Sequence, residues 1–259
     1  MQGLLYFFII VLANAAGAIS GMGGGVIVKP VLDFLGYDSV AAISFYSSVA
    51  VFTMSLVSTI RHIQDGWRFE WRQLGSLALG SVIGGFMGNQ VFEWLLVAVS
   101  NEALVTLVQI SLTIGVMVFA GAYTQWQWPS LKVAESYGYP LVGVVLGFLA
   151  SLLGIGGGPI NVALLMWCFA LPIKQAAVYS ICTIFCSQLM KITTIISLSG
   201  LGRYNIGLLG YIVAAGVVGG LTGAYLSNHM SENQVKRLFQ WMVLAVIALN
   251  IYNGWRLWA

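Results

Sequence analysis

The pentapeptide Gly21-Met22-Gly23-Gly24-Gly25 recurs as Gly154-Ile155-Gly156-Gly157-Gly158, and each copy interrupts an apolar stretch long enough to enter a bilayer. A glycine costs a helix about 1 kcal/mol relative to alanine, so a triplet marks a break. Consecutive glycines do not keep to one helical face, which makes them a poor packing surface; a simple hinge or tight helix crossing is the plain structural alternative. Unwound backbone exposes N–H groups that cannot face lipid, so the segment must sit against protein or line a wet cavity. Where a half-helix starts after the break, its free N–H groups and positive dipole end favour an anion. Pro159 directly follows the second triplet and suits the first turn of such a helix. The spacing does not fit a dinucleotide fingerprint.

Composition sets the surroundings of these breaks. Of 259 residues, 59% are hydrophobic and 7% charged, with a mean hydropathy of +0.90. Water-soluble domains carry about 25% charged residues, whereas bilayer spans need about 20 consecutive apolar ones. The expected fold class is therefore an all-α integral membrane protein. The net charge of +3 comes from scattered basic residues, with no run that suits nucleic acid. Cys168, Cys182 and Cys186 lie in apolar segments without a Cys-x-x-Cys pair and read as packed free thiols. The first residues lack a basic flank, so they read as retained membrane structure rather than a signal peptide.

Eight hydrophobic stretches can be marked: Leu4 to Leu35, Val40 to Ile60, Leu74 to Val99, Ala103 to Tyr123, Tyr139 to Leu171, Gln175 to Leu198, Ile206 to Leu226 and Val235 to Trp255. They form two sets of four, each led by a glycine triplet. The expected organisation is a first transmembrane repeat over 1–125, a linker over 126–137 and a second repeat over 138–259. A repeat should keep a nearly constant offset. The triplets match at 133, and after a short insertion 135 aligns Ala41-Ala42 with Ala176-Ala177, Arg68-Phe69 with Arg203-Tyr204, and Gly84, Gly85 and Gly88 with Gly219, Gly220 and Gly223. The glycines of the third and seventh stretches recur every fourth residue, a pattern that lets helices touch in lipid.

Basic residues distinguish two topologies. If all eight stretches cross, Lys and Arg divide six against four; if the first and fifth dip in and return, they divide seven against two. The second arrangement better satisfies the positive-inside rule. Each half then crosses an odd number of times, which makes the repeats inverted and places a substrate near the midplane, where broken helices meet. Both termini are then expected outside, with the loop from Arg61 to Arg72 cytoplasmic.

Charge inside a bilayer is costly, and its sign is a clue to what moves. Lys191 lies well inside the sixth stretch and Lys29 follows the first break, although snorkelling to headgroups is the simpler reading for Lys29. No carboxylate is evidently held at the midplane. Ser44, Ser47 and Ser48 in the second stretch, and Cys182, Thr183, Ser187 and Gln188 in the sixth, add neutral polar groups. The offset pairs Ser47 with Cys182 and Ser48 with Thr183, so these ends can face one another and replace part of an oxyanion's hydration shell. Bonding back to their own helix is the competing account of the hydroxyls. Asn161 can cap exposed backbone or touch ligand. His62 and His229 read as interfacial loop residues.

Together these residues resemble the TauE/SafE family of sulfite exporter-like permeases, over essentially the whole chain. The family is similar in its Gly-x-Gly-Gly-Gly followed by Pro-x-Leu, here Gly21 to Gly25 and Pro30-Val31-Leu32. Tyr46-Ser47-Ser48, Ser55-Leu56 and His62-Ile63-Gln64-Asp65-Gly66 follow in the family's order, and the second half closes with Lys236-Arg237-Leu238-Phe239. Departures are Pro159-Ile160-Asn161 after the second triplet, Ile181-Cys182-Thr183 where Thr-Ser-Leu is typical, and Lys191 at a place usually apolar or small. The resemblance implies transport of sulfite, thiosulfate, sulfonates or related organosulfur acids across a bacterial inner membrane, and proton coupling.

The site expected for such a small anion comprises Gly23, Gly24, Gly25, Ser47, Ser48, Gly156, Gly157, Gly158, Asn161, Cys182, Thr183, Gln188 and Lys191. No catalytic residue, cofactor or metal ligand is expected; the partners are the anion, the lipid bilayer and, through the small-residue helix faces, a second copy in a homodimer. Three alternatives stay open: a sulfur-handling enzyme with a Cys182 or Cys186 nucleophile, a carrier of a non-sulfur organic anion, and a carrier of metal cations.

Overall fold

Glycine and proline punctuate this chain, and the helices stop where they fall. A computed structural model describes residues 2–67, 70–99, 101–126, 128–133, 135–202 and 204–258, the side chains of 135, 136, 199 and 258 excepted. The described residues form ten α-helices and no strand. The first half contains α1 (Gln2–Ser20), α2 (Gly25–Leu35), α3 (Val40–Gln64), α4 (Trp71–Ala98) and α5 (Glu102–Trp126). The second contains α6 (Glu135–Leu152), α7 (Pro159–Phe169), α8 (Ile173–Thr194), α9 (Leu209–His229) and α10 (Glu232–Trp258). Eight stretches thus become ten helices, because each glycine triplet divides its stretch. α5 runs to Trp126 and α6 begins at Glu135, both within the 126–137 expected to join the halves. The offset match of Arg68-Phe69 with Arg203 lies outside the described residues.

Both divided stretches fold back on themselves. Gln2 Nε2 and the Tyr6 hydroxyl, at the start of α1, donate to the Asp38 carboxylate just beyond α2, at 3.0 and 2.5 Å. At the reversal, a Cβ on Gly24 would collide with Asn14 and one on Gly17 with Gly23 and Gly24, so only glycine allows this approach. In the second half, Leu131 and Val133, just before α6, donate backbone bonds to Trp167 and Cys168 at the end of α7. Tyr139 stacks on Phe169 across the same opening, with centroids 3.8 Å apart.

The two halves exchange these hairpins. The Gly219 and Gly223 positions admit α1 at Val11, Asn14, Ala15 and Ala18, while Gly80, Gly84 and Gly88 admit α6 at Pro140, Val144 and Phe148. Each pair runs parallel, because residue numbers rise together along both helices. A Cβ on these α4 glycines would fall on α6 carbonyl oxygens, which is the close packing their four-residue spacing predicts. Between the pairs, α3 and α8 run antiparallel: Ser44 meets Lys191, Phe52 stacks on Phe185, and Thr59 meets Cys182.

Among the described residues, six helical segments are long and apolar enough to cross a membrane: Gln2–Ser20, Val40–Gln64, Glu102–Trp126, Ile173–Leu198, Ile206–His229 and Glu232–Leu257. The polarity of the bundle suits that setting. Leu12, Leu79, Val97 and Trp241 face outward, while Asn14, Ser47, Gln188 and Lys191 are fully buried. Water would reverse this distribution; lipid permits it.

Candidate functional site

The tips of the two hairpins meet in the centre of the bundle. A Cβ on Gly25 would strike the Ile155 carbonyl and stand 2.8 Å from Ser47 Oγ; one on Gly23 would lie 3.3 Å from the Gly156 carbonyl. The breaks share backbone conformation at their first two glycines, with φ of +73° and +75° at Gly21 and Gly23 and +67° at both Gly154 and Gly156. They then diverge. Gly24 is helical and α2 starts at once, whereas Gly157 has φ +118° and Gly158 is extended, so α7 waits for Pro159. Proline excludes the helical region from the residue before it, which explains the delay.

Neither half-helix has a side-chain cap at its start: Gly24 and Gly158 precede α2 and α7 without one. A helix leaves its first N–H groups without intrahelical partners and carries a partial positive charge there. Two such ends face the centre together.

Lys191 supplies a full positive charge beside them. Its Nζ donates to Ser44 Oγ at 2.8 Å and to the Ser151 carbonyl, in the last turn of α6, at 3.0 Å. The Phe92 ring lies 5.4 Å from the ammonium, and Lys29 and Glu93 are the charged groups whose fields reach it. The Ser151 contact caps the broken end of α6, where carbonyl groups need donors. An ammonium has three donors, and two of them are occupied by neutral protein acceptors.

Of the remaining expected residues, Ser47, Asn161 and Gln188 lie in the interior, each with one oxygen that has no partner among the described residues. Ser47 faces Gly25, and the Asn161 amide stands beside Gly157. Gln188 sits one turn before Lys191, its Nε2 at 3.5 Å from Ser187 Oγ. Other hydroxyls turn inward on their own helices: Ser48 donates to the Ser44 carbonyl and Thr183 to the Tyr179 carbonyl, both at 2.8 Å.

Ser47 and Cys182 do not face each other. Because α3 and α8 cross near Phe52 and Phe185, offset-matched residues lie on opposite sides of the crossing; Cys182 instead pairs with Thr59 at 3.6 Å. An offset identifies equivalent positions, not neighbours, when helices run antiparallel.

Three groups differ from their sequence reading. Lys29 does not snorkel: it is buried and bound to Asp33 at 2.8 Å, one helical turn further along α2. His62 is fully buried and helical rather than in a loop, because α3 runs on to Gln64 and Trp67 closes edge-on over the imidazole. Asn14 and Ser180 were missing from the expected site, yet brace the first break. Asn14 Nδ2 donates to the Ala50 carbonyl at 3.1 Å, and Ser180 Oγ donates to the Gly21 carbonyl at 2.6 Å. An amide deep within apolar α1 is the available signal for Asn14; Ser180 has none.

Comparison with known proteins places this chain in a wider group. The family "Sulfite exporter TauE/SafE" matches residues 6–250. A Bacillus subtilis protein called "Probable membrane transporter protein YunE" is 26% identical, covering 94% of this chain and 95% of its own. A Methanocaldococcus jannaschii protein, "Probable membrane transporter protein MJ0441", is also 26% identical, covering 82% of this chain and 80% of its own. A "Probable membrane transporter protein" of Xylella fastidiosa strain 9a5c is 25% identical over 96% of this chain and 93% of its own. No solved structure matches the chain significantly.

Proposed function

The chain belongs to the TauE/SafE sulfite exporter family of membrane proteins, and from that premise we propose that it is a secondary transporter of a small sulfur-containing anion. The substrate class is sulfite, thiosulfate, a sulfonate or a related organosulfur acid, carried across a bacterial inner membrane by alternating access. The observation that carries this reading is Lys191, a fully buried ammonium bonded to uncharged groups at the meeting point of two uncapped helix starts. A charge in a low-dielectric interior costs several kcal/mol unless it is compensated. The helix starts add positive potential, so a cation would be repelled and an anion stabilised.

The repeats are inverted in this reading. The first hairpin opens beside Asp38 and the second beside Leu131, and the contacts of the first hairpin with α9 mirror those of the second with α4. Arg61, Arg72, Lys132, Lys174, Lys236 and Arg237 mark the cytoplasmic end. Ser47, Gln188 and Lys191 are closed off from solvent, so a bound anion would be occluded between the hairpin tips. Rocking one repeat against the other would open the tips to each side in turn.

Anion binding to the purified protein tests this reading. Lys191→Gln and Lys191→Ala are expected to weaken thiosulfate or sulfonate binding about 10- to 100-fold, the range of a charge-assisted hydrogen bond. Unchanged affinity in both variants would remove this lysine from the site. Counterflow in proteoliposomes with sulfur oxyanions and carboxylates would separate sulfur substrates from other organic anions.

A further inference from the structure

Two buried lysines approach the second break: Lys29 is ion-paired to Asp33, while the Lys191 ammonium bonds to neutral groups, with Glu93 the carboxylate whose field reaches it. A Cβ placed on Gly154 would stand 2.7 Å from Ser44 Oγ and 3.3 Å from Lys29 Cε, so Gly154 lies between the Lys29 side chain and the hydroxyl that accepts from Lys191. Lys29 is held there by Asp33 at 2.8 Å, with both side chains nearly closed to solvent. On its other side Asp33 lines a cavity of about 320 Å³ that also contains Arg256. The Arg256 guanidinium lies over the Phe34 ring at 5.5 Å and donates to the Phe34 carbonyl at 2.6 Å. It is therefore next to the helical turn that carries Asp33.

We propose that Lys29 is a second anion ligand of the central site, masked by Asp33 in the empty carrier and released to a doubly charged substrate when Asp33 shifts to Arg256. This deepens the transporter reading and rests on it. Like charges close together in a low-dielectric interior repel strongly. Lys191 alone can neutralise a monoanion, whereas a dianion requires both ammonium groups, and its second charge competes with Asp33 for Lys29. Asp33 freed without a partner would be an uncompensated buried carboxylate, which is unfavourable. Arginine suits the receiving role because its planar fork binds carboxylates bidentately. No proton or covalent bond moves; three ionic contacts exchange. The preferred substrate class becomes a divalent oxyanion such as thiosulfate, above a sulfonate with one charge.

The test measures thiosulfate and methanesulfonate binding to the purified full chain by titration calorimetry. The unmodified protein should prefer thiosulfate by about tenfold or more. Asp33→Asn should tighten thiosulfate about 3- to 10-fold by removing the competitor. The double variant Lys29→Gln/Asp33→Asn, which neutralises both members of the pair, should lose the preference while keeping methanesulfonate affinity within about twofold. Arg256→Gln, at an exposed position that folding should tolerate, should weaken thiosulfate and spare methanesulfonate. Equal binding of both anions by the unmodified protein, or a persistent thiosulfate preference in the double variant, would overturn the exchange. Failure of either anion to bind the unmodified protein would instead overturn the transporter reading on which it rests.

Discussion

The two glycine breaks start with nearly the same backbone and are held by different chemistry. At the first, Ser180 and Asn14 supply neutral hydrogen bonds, and the chain re-enters a helix at Gly25 against the Ile155 carbonyl. At the second, Lys191 supplies the brace at Ser151, and the chain stays extended through Gly158 until Pro159 restarts the helix. A repeat preserves the geometry that lets two hairpin tips meet. It leaves the side chains around each tip free to differ: neutral groups brace the first break and a lysine braces the second.

Gly25 and Gly158 are equivalent by the repeat offset and give the sharpest test of that division. Gly25→Ala puts a methyl group onto the Ile155 carbonyl, a backbone atom that cannot move alone. The expected cost is about 3 kcal/mol, at the upper end for overpacking, seen as a loss of monodisperse protein or a large fall in melting temperature. Gly158→Ala meets only the side-chain ends of Ile155, Val26 and Met117, at 3.3 to 3.8 Å, and its extended backbone accepts any residue. It should cost less than about 1 kcal/mol. Equal losses in the two variants would mean that the breaks do the same structural work.

A smaller contrast separates the two braces. Ser44→Ala removes the hydroxyl that receives Lys191, so anion affinity should fall about threefold to tenfold, with stability lowered by about 1 kcal/mol. Ser180→Ala removes the bond to the Gly21 carbonyl and should cost a similar amount of stability, yet leave anion affinity within about twofold. Thermal unfolding and binding titration on the same samples resolve the two effects. Loss of affinity in Ser180→Ala would show that the brace at Gly21 shapes the anion site as well as the fold.

Much of this architecture is legible in the sequence. The triplets announced the breaks, and φ near +70° at all four leading glycines shows why: side chains rarely adopt that region. The four-residue glycine spacing in α4 and α9 predicted close packing, and the collisions a Cβ would suffer there explain it. Lys191 stood out because a lone cation in an apolar helix is expensive. Its partners did not, since Ser44 and Ser151 lie 147 and 40 residues away. Pairing across helices depends on their direction and rotation, which an internal offset does not encode. Lys29 departs from expectation for a related reason: a lysine near a helix end usually snorkels, but Asp33 at i+4 offers a nearer partner inside the bundle.

The smallest expected effect concerns the residue that repeat symmetry paired with Ser47. Cys182 lies on the other side of the α3 and α8 crossing, where its sulfur shares a contact with Thr59 Oγ1. A thiolate nucleophile needs a nearby base or positive group, and the ammonium of Lys191 is committed to Ser44 and Ser151, nine residues and more than two turns further along α8. Cys182→Ser keeps the size and the contact with Thr59, so uptake of labelled substrate into proteoliposomes should stay within about twofold of the parent chain. Abolished turnover with intact anion binding would instead bring the thiol into the chemistry and move the functional centre away from the hairpin tips.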